Sequence, residues 1–313
     1  MHAFAIGLGY LLDLLLKDPQ TVWHPVRSIG SLIAVQERFY RNILKLELAG
    51  GLLLAVVTPG AVFVLSLAFL MALGRIHWSV ALIGNALLVW CAISPSALAA
   101  EARGIEKRLE AGDDAGAKKA VSMIVGRDTA PMDREAIGRA VIETVAENSV
   151  DGVISPLFYA AMGGGPLAMA YRSVNTCDSM VGYRNERYER FGKIPARVDD
   201  IANFFPARVA LVIISVSAWL AGLNARKAMA VGLRDRLKHP SPNSAHGEAA
   251  FAGALGVRLG GPSFYGGVLK EKPWLGDNIK PIDTAVISQA RRLLGWTALV
   301  TSLCSIALSL LLF

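Results

Sequence analysis

The strongest constraint on this chain is a pair of long apolar runs without charge. Residues 48–73 contain no acidic or basic side chain, and neither do residues 78–100. A helix needs about 20 predominantly apolar residues to cross the hydrocarbon core of a bilayer, and both runs are long enough. Only the segment Gly74–His77 separates them. The two runs therefore predict a membrane hairpin of two helices, since a helix satisfies its own backbone hydrogen bonds within lipid.

Further apolar segments continue this pattern along the chain. Residues 205–223 and 295–313 are also strong predictions for membrane spans, although Arg208 lies near the start of the first. Three weaker segments, one with an acidic residue and two interrupted by glycines, cover residues 4–16, 153–171 and 249–267. Irregular backbone at membrane depth is tolerated where protein or a water-filled cavity covers it. We therefore expect broken or re-entrant segments among the weaker three.

The composition agrees with a membrane protein. Hydrophobic residues make up 53% of the chain and charged residues 18%, against roughly 45–50% and about 25% in soluble domains. The expected fold is all-α: one membrane-embedded domain, residues 1–313, forming a polytopic helical bundle with broken or re-entrant segments and cytoplasmic helical loops. The number of crossings beyond the four strong segments stays open. The three cysteines include no C-x-x-C pair, which argues against a zinc site or a disulfide framework.

Basic residues predict how the hairpin is oriented, because cytoplasmic loops are enriched in Lys and Arg. Residues 17–47 hold five basic residues and residues 101–152 hold eight, whereas the turn at 74–77 holds one. We therefore expect the hairpin turn outside the cell and its two flanks in the cytoplasm. The net charge of +7 suits the anionic cytoplasmic face and anionic substrates. After residue 153 the basic residues do not fix the topology.

The charged region before residue 150 predicts helices outside the bilayer. We expect helices at 101–111, 115–125 and 133–150, the last capped by Asp133 or by Thr129. Near the end of the third helix, Glu143, Glu147 and Asp151 recur at a spacing of four, which places them on one helix face.

Two interpretations of these three carboxylates stay open. They are a solvated face answered by Arg134 or Arg139, or, because the surrounding sequence is apolar, a site for Mg²⁺ or polyphosphate.

Two further polar clusters follow the glycine-rich break. One contains Arg172, Asn175 and Asp178 at helical spacing, and the other contains Asp199, Asp200 and Asn203, with Arg208 beyond. Helix capping and ion pairing would explain either cluster alone. Acidic and amide oxygens are also suitable ligands for a hard cation such as Mg²⁺. Ionisable residues between lipid-compatible segments are candidates for function.

A fourth polar stretch, residues 239–248, predicts a rigid proline-containing loop that leads into a helix. His239, Ser241, Asn243 and Glu248 are its candidate ligand contacts, although turn and capping chemistry explains the Ser and Asn equally well. The sequence lacks a P-loop, a dinucleotide-binding glycine fingerprint and a nucleophile elbow. Basic residues are not interleaved with aromatic ones, so nucleic acid is not an expected partner.

Taken in order, these motifs resemble those of the CobD/CbiB family of cobalamin biosynthesis. The resemblance covers nearly the whole chain, and it rests on the stretches 13–19, 24–26, 143–152 (ETVAENSVDG), 171–176, 178–188 (DSMVGYRNERY), 199–203, 239–243 (HPSPN) and 248–258. The chain departs from the family pattern at His246-Gly247, where a Trp-Pro pair is expected.

The resemblance implies an inner-membrane carbon–nitrogen ligase of the cobinamide-phosphate synthase type. Such an enzyme joins (R)-1-amino-2-propanol, or its O-phosphate, to a propionate carboxyl of adenosylcobyric acid, giving adenosylcobinamide or its phosphate. An amide does not form spontaneously from a free carboxylate in water, so ATP with Mg²⁺ is expected to activate the acid, and the corrinoid is bound as a substrate. Membrane lipid and other cobalamin-pathway membrane enzymes are the remaining expected partners.

The resemblance and the polar clusters together suggest roles for individual residues. The expected catalytic residues are Glu147, Asp178 and His239, the last for proton transfer. The expected metal ligands are Glu143, Glu147, Asp151, Asp199 and Asp200. The expected substrate or nucleotide contacts are Arg172, Asn175, Tyr183, Arg184, Asn185, Asn203, Arg208, Ser241, Asn243 and Glu248. The broken segments around residues 163–166 and 260–262 are expected to form walls around the corrinoid.

Two other classes of function stay open at this point. A membrane transporter or sensor would use the acidic clusters as an ion or substrate relay near the bilayer midplane. An assembly scaffold for other enzymes would not need the acidic side chains at all.

Neutralising single carboxylates distinguishes these classes. For an enzyme, we expect Glu147→Gln and Asp178→Asn each to lower the rate of amide formation at least about tenfold, because each removes a group that binds charge or moves a proton. The measurement is product formation by the purified variants, compared with wild-type protein. A smaller loss would contradict the assigned roles, and a scaffold predicts no loss.

Overall fold

The computed structural model describes residues 1–17, 24–183 and 185–313, and most of these residues are helical. Within these ranges the helices are α1 (His2–Leu16), α2 (Pro25–Arg38), α3 (Leu48–Ile76), α4 (Trp78–Ala92), α5 (Pro95–Glu110), α6 (Asp114–Val121), α7 (Arg134–Ser149), α8 (Ser155–Val181), α9 (Lys193–Ala202), α10 (Phe204–Leu220), α11 (Ala225–Asp235), α12 (Ser244–Leu255) and α13 (Thr284–Leu312). Two π-helical turns, Phe39–Ile43 and Val150–Ile154, follow α2 and α7.

Four three-residue strands lie between α12 and α13. They are β1 (Arg258–Gly260), β2 (Ser263–Tyr265), β3 (Val268–Lys270) and β4 (Trp274–Gly276). Strands β1 and β4 pair antiparallel with Leu259 opposite Leu275, and β2 and β3 form a separate antiparallel hairpin. This differs from the expectation for residues 249–267, which we interpreted as a weak apolar segment. They comprise most of α12 together with β1 and β2.

The fold class predicted from the sequence is confirmed, because the described residues contain four helical runs long and apolar enough to cross a membrane. These runs are Leu48–Ile76, Trp78–Glu110, Arg134–Val181 and Thr284–Leu312. Helices α9 and α10 together add a fifth if they form one broken span. Helix α1 is apolar but shorter. The expected cap of α7 is also confirmed, since the Asp133 side chain accepts a hydrogen bond from the Ala136 N–H at 2.8 Å.

The chain forms two compact units, each assembled from separate stretches of sequence. Unit 1 comprises residues 1–94, 151–203 and 301–313, and unit 2 comprises residues 95–150 and 204–300. The prediction that the chain acts as one membrane-embedded domain stays a prediction.

Unit 1 is organised around the break in α8. Gly163 and Gly164 have non-helical dihedral angles, and Gly164 has a φ of +66°. The side-chain oxygen of Asn85 in α4 accepts a hydrogen bond from the Gly165 N–H at 2.6 Å, which satisfies a backbone donor that the break would otherwise expose. The broken segment predicted at residues 153–171 is therefore present as a kink stabilised by a buried amide.

In unit 2, α12 is the central helix. Its residues from Ala245 to Leu255 are all buried, and most of them are small. A β-carbon at Gly247 would lie 2.9 Å from the carbonyl oxygen of Ala146 in α7. The small residue therefore allows α12 to lie directly against α7. The departure from the family pattern at residue 247 thus has a packing role.

We predict that Gly164→Ala destabilises the protein by roughly 1–3 kcal/mol, because alanine is strained at this positive φ. The added β-carbon would also lie 2.5 Å from His2 Nδ1 and 2.9 Å from Asn85 Oδ1. Gly60→Ala in α3 is the matched control, since its β-carbon would meet no atom within 4 Å. Thermal unfolding of both variants in detergent checks this, and equal stability of the two would contradict it.

Candidate active site

Unit 2 contains a cavity of about 240 Å³ whose lining is rich in charged side chains. It is bounded by residues 124–127, by α7 and α12, by residues 238–240 and by the strands with the loop between β3 and β4. Its acidic, basic and histidine lining residues are Arg127, Glu143, Glu147, Lys238, His239, Glu248, Glu271 and Lys272. Four of these, Glu143, Glu147, His239 and Glu248, are site residues predicted from the sequence.

Glu143 holds the loops of the cavity against α7. One of its carboxylate oxygens pairs with the Arg127 guanidinium, and the other accepts a hydrogen bond from the Gly260 N–H at 2.6 Å. Arg127 also donates to the Ser263 hydroxyl at 3.0 Å. Both members of the ion pair are mostly buried. Loss of one partner of such a buried ion pair strongly destabilises a protein. The pair with Glu143 therefore fixes the position of Arg127 in the cavity wall.

The interpretation of the α7 carboxylates as a solvated face paired with Arg134 or Arg139 was wrong about the partners. Arg134 pairs with Asp114, and Arg139 pairs with Glu135, at 2.8 and 2.7 Å respectively. The cation beside Glu143 is Arg127.

Glu248 is a buried carboxyl group that faces the cavity. It is 8% exposed, and within the described part of the chain it has no hydrogen bond or ion pair. Burial raises the pKa of Glu248 well above its usual value, and repulsion from Glu147 and Glu143 raises it further. Lys272 and Arg127 act in the opposite direction. A buried polar group without a partner is costly, so this carboxyl is suited to receive a polar group from a ligand.

Cationic side chains occupy other parts of the same lining. The Lys272 ammonium donates to the Tyr265 hydroxyl at 2.6 Å, and the Lys238 ammonium lies 2.7 Å from a carboxylate oxygen of Asp235. With Arg127, the cavity combines three cations with buried carboxyl groups. It can therefore bind a small ligand that carries both a positive and a negative group.

The imidazole of His239 also lines this cavity. Its Nδ1 accepts a hydrogen bond from the Ser241 N–H at 3.0 Å. In the neutral ring this bond assigns the proton to Nε2. His239 is therefore oriented to donate a hydrogen bond from Nε2.

Unit 1 contains a second polar cluster, built from carboxylates and amides. The Asn175 amide donates to Asp151 at 3.4 Å and to Asp199 at 3.5 Å, and the Asn203 amide donates to Asp199 at 3.0 Å. The Asn203 side-chain oxygen accepts hydrogen bonds from the hydroxyls of Ser155 at 2.6 Å and Tyr171 at 2.9 Å. The amide orientation is thus fixed, and its N–H faces the carboxylate.

Two further carboxylates of unit 1 repel this cluster. Asp178 and Asp200 interact electrostatically with Asp199 and with each other. Asp200 also lines a larger cavity of about 1050 Å³ in unit 1. The predicted contacts Tyr183 and Asn185 line the same cavity. Predicted residue Arg184, and residues 18 and 19 of the amino-terminal motif, lie outside the described residues.

Besides Asn175 and Asn203, four predicted contacts lie away from both cavity linings. Arg208 donates to the Asn243 side chain at 3.3 Å and to the Phe204 carbonyl oxygen at 2.6 Å, so Arg208 and Asn243 meet within unit 2. The Ser241 hydroxyl accepts from the Asn243 N–H at 3.3 Å, which stabilises the loop before α12. Arg172 lies on α8 in unit 1.

The predicted metal ligands fall into two sets. Glu143 and Glu147 line the cavity of unit 2, whereas Asp151, Asp199 and Asp200 belong to unit 1. Over the described ranges, no group of three or more His, Cys, Asp or Glu side chains is arranged to hold a metal ion. Mg²⁺ is commonly held by one or two carboxylates together with substrate phosphates. The metal assignment therefore stays a prediction.

Sequence reasoning missed the cationic half of the unit 2 cavity. Arg127, Lys238 and Lys272 all come from loops, where no helical or strand periodicity marks a shared face. The one available signal was position, since Lys238 directly precedes the predicted His239. The predicted carboxylates were easier to find because two of them share a helix at a spacing of four.

These features define a polytopic helical membrane protein with a cluster of charged side chains in each of its two units. A family model described as "CobD/Cbib protein" matches residues 6–294. The chain belongs to this family, which confirms the resemblance seen in its motifs.

Relatives from several bacteria carry names from the same pathway. The chain is 46% identical over 310 residues to the cobalamin biosynthesis protein CobD of Pelobacter propionicus, covering 98% of this chain and 95% of the relative. It is 43% identical over 298 residues to the protein of the same name in Clostridium perfringens, covering 93% and 92%. It is 42% identical over 305 residues to the cobalamin biosynthesis protein CbiB of Salmonella typhimurium, covering 95% and 94%. No solved structure matches the chain. Family membership gives the chain a role in cobalamin biosynthesis.

The raised pKa of Glu248 predicts a specific pH dependence of stability. The folded protein keeps the proton on Glu248 to a higher pH than the unfolded chain, so wild-type protein loses stability as the pH rises above the ordinary glutamate value of 4.5. Glu248→Gln mimics the protonated group, and its stability advantage over wild type should therefore grow from pH 5 to pH 8.

Thermal unfolding in detergent and Mg²⁺-free buffer measures this difference. Glu135→Gln, which removes an exposed carboxylate of α7 outside the cavity, is the control. Parallel pH curves for wild type and Glu248→Gln would contradict the assignment of a proton to Glu248.

Proposed function

We propose that this member of the CobD/CbiB family joins (R)-1-amino-2-propanol or its O-phosphate to a propionate carboxyl of adenosylcobyric acid, with ATP as the second substrate. The reaction would take place at the cytoplasmic face of the cell inner membrane. Membership of a family of cobalamin biosynthesis proteins supports the pathway. The observation that carries the chemistry is the cavity of unit 2, where the buried Glu248 has no hydrogen bond or ion pair within the described part of the chain.

The size of this cavity favours the amine as its ligand. A volume of about 240 Å³ suits a molecule of fewer than ten or so heavy atoms and is far below the volume of a corrinoid. An amino alcohol phosphate carries an ammonium group at one end and a phosphate at the other. Carboxyl groups of Glu147 and Glu248 would bind the ammonium, and Arg127, Lys238 and Lys272 would bind the phosphate.

Amide formation needs an activated acid. In the proposed sequence, an oxygen of the substrate carboxylate attacks the terminal phosphorus of ATP, which forms an acyl phosphate and releases ADP. The amine nitrogen then attacks the acyl carbon, inorganic phosphate leaves, and the nitrogen loses a proton. Cationic side chains fixed near the acyl phosphate would stabilise the negative charge that develops on its oxygens.

Glu147 is the residue we assign to accept the proton from the amine. It lines the cavity with Glu248 and is exposed, whereas burial raises the pKa of Glu248 and disfavours its ionised form. His239 would act as a hydrogen-bond donor through Nε2, since its Nδ1 already accepts from the backbone of Ser241. This refines the role that sequence reasoning gave to His239.

The polar cluster of unit 1 has a donor set that suits a hard cation. Asp151, Asp199 and Asp200 supply carboxylate oxygens, and no nitrogen or sulfur ligand is needed for Mg²⁺. We assign these residues to Mg²⁺ and Asp178 to the same region. When bound, Mg²⁺ neutralises charge on the phosphates of ATP. Asn175 and Asn203 hold Asp199 in place through their amides.

Reconstitution of the purified protein tests the proposed function. The protein in detergent is incubated with adenosylcobyric acid, Mg-ATP and either aminopropanol or aminopropanol O-phosphate, and the corrinoid product and the nucleotide are followed by mass spectrometry. We expect an amide product from at least one amine, with stoichiometric ADP. Glu135→Gln, outside the cavity, should retain wild-type turnover. Absence of product with both amines would overturn the proposal and favour transport or scaffolding.

A further inference from the structure

Asp235, at the end of α11, is fully buried and accepts hydrogen bonds from four donors. One carboxylate oxygen accepts from Arg234 Nε at 2.9 Å and lies 2.7 Å from Lys238 Nζ. The other accepts from Arg234 Nη2 at 2.8 Å and from the Gly276 N–H of β4 at 2.9 Å. All four lone-pair directions of the carboxylate are thus used. Asp235 is a rigid centre to which three parts of unit 2 are attached.

The carboxylate of Asp235 is ionised at physiological pH. Burial alone would raise the pKa of Asp235, but the hydrogen bonds from Arg234, Lys238 and Gly276 outweigh that effect and hold the pKa well below its usual range. The attachment of Lys238 therefore persists at every physiological pH, since it would be lost only as the pH falls through this depressed value.

Lys238 is the one partner of Asp235 that lines the cavity. An ammonium group has three N–H donors. One is directed at Asp235, and another is within 3.4 Å of the Trp274 carbonyl oxygen. The third N–H has no partner among the described residues, so it can donate to a ligand. An exposed lysine normally loses considerable rotamer freedom when it binds an anion, and attachment to Asp235 removes most of that cost in advance.

We infer that Asp235 is a positioning residue, which holds the Lys238 ammonium at the cavity wall to receive the anionic end of a small phosphorylated amine. This inference rests on the proposed function for the identity of the ligand. The contacts of Asp235 with Arg234 and Gly276 stabilise the fold, and Arg234 extends the network to Asp277 at 2.9 Å. The contact with Lys238 is different, because it reaches the site.

Asp235→Asn tests this role through selectivity between two amines. The variant keeps an acceptor for Gly276 but loses the charge that holds Lys238. We expect binding of aminopropanol O-phosphate to weaken about tenfold, measured by calorimetry on the purified full-length protein, and the KM for this amine to rise by a similar factor. Binding of aminopropanol without phosphate should not change. A merely structural residue would affect both amines alike.

Two further variants complete the design. The single variant Lys238→Met should weaken binding of the phosphorylated amine. If Asp235 acts through Lys238, adding Asp235→Asn to Lys238→Met should cause no further loss of binding. Asp277→Asn, at the exposed end of the network, is the matched control and should bind both amines like wild type. If Asp235→Asn does not fold, Asp235→Glu keeps the charge but displaces the carboxylate, and we expect the same selective loss.

The outcomes separate this inference from the proposed function. Equal weakening for both amines, or additive losses in the double variant, would overturn the positioning role even if wild-type protein forms the amide. The variants could instead lose binding of the phosphorylated amine alone, with no further loss in the double variant, while wild-type protein forms no amide. That result would support the positioning role and overturn the proposed reaction. A wild-type protein that does not bind the phosphorylated amine would overturn the positioning role, and it would overturn the proposed function only if unphosphorylated aminopropanol gave no amide either.

Discussion

Burying an ionised group in a chain this apolar costs several kcal/mol unless a second charge or several hydrogen bonds compensate it. Unit 2 meets this requirement with cations: Arg127 and the Gly260 N–H bind Glu143, and a ring of donors surrounds Asp235. These contacts tie the loops and short strands to α7 and α11. Within the described part of the chain Glu248 has no such hydrogen bond or ion pair, so burial raises its pKa, and the carboxyl group faces a cavity. The candidate amine site therefore depends on which carboxylates have internal partners and which do not.

Unit 1 stabilises its carboxylates in a different way. Asn175 and Asn203 donate neutral amide hydrogens to Asp151 and Asp199. A neutral donor orients a carboxylate without cancelling its charge, so the repulsion that Asp178 exerts on Asp199 persists. The proposed Mg²⁺ site depends on this uncancelled charge, because a bound cation would reduce the repulsion. The two units thus differ in how they hold carboxylates: unit 2 pairs Glu143 and Asp235 with cations, and unit 1 holds Asp151 and Asp199 with neutral amides.

Much of this organisation could be predicted from the sequence where it depends on local pattern. The uncharged run at 48–73, the cap at Asp133 and the glycine break at 163–165 each depend on neighbouring residues. Spacing alone failed beyond Ser149, because a π-helical turn begins at Val150 and changes the helical register. Asp151 consequently meets Asn175, a partner that is distant in sequence. The three-residue strands and the loop cations depend on tertiary pairing, which no period of the sequence encodes.

The central claim is that the cavity of unit 2 receives the amine substrate. An experimental structure of the protein with aminopropanol O-phosphate, determined without ATP or corrinoid, tests it most directly. The account predicts density inside this cavity, with the amine nitrogen within hydrogen-bond distance of Glu248 or Glu147 and the phosphate beside Lys238, Lys272 or Arg127. Density for the ligand elsewhere, with this cavity unchanged and empty at saturating ligand, would contradict the account.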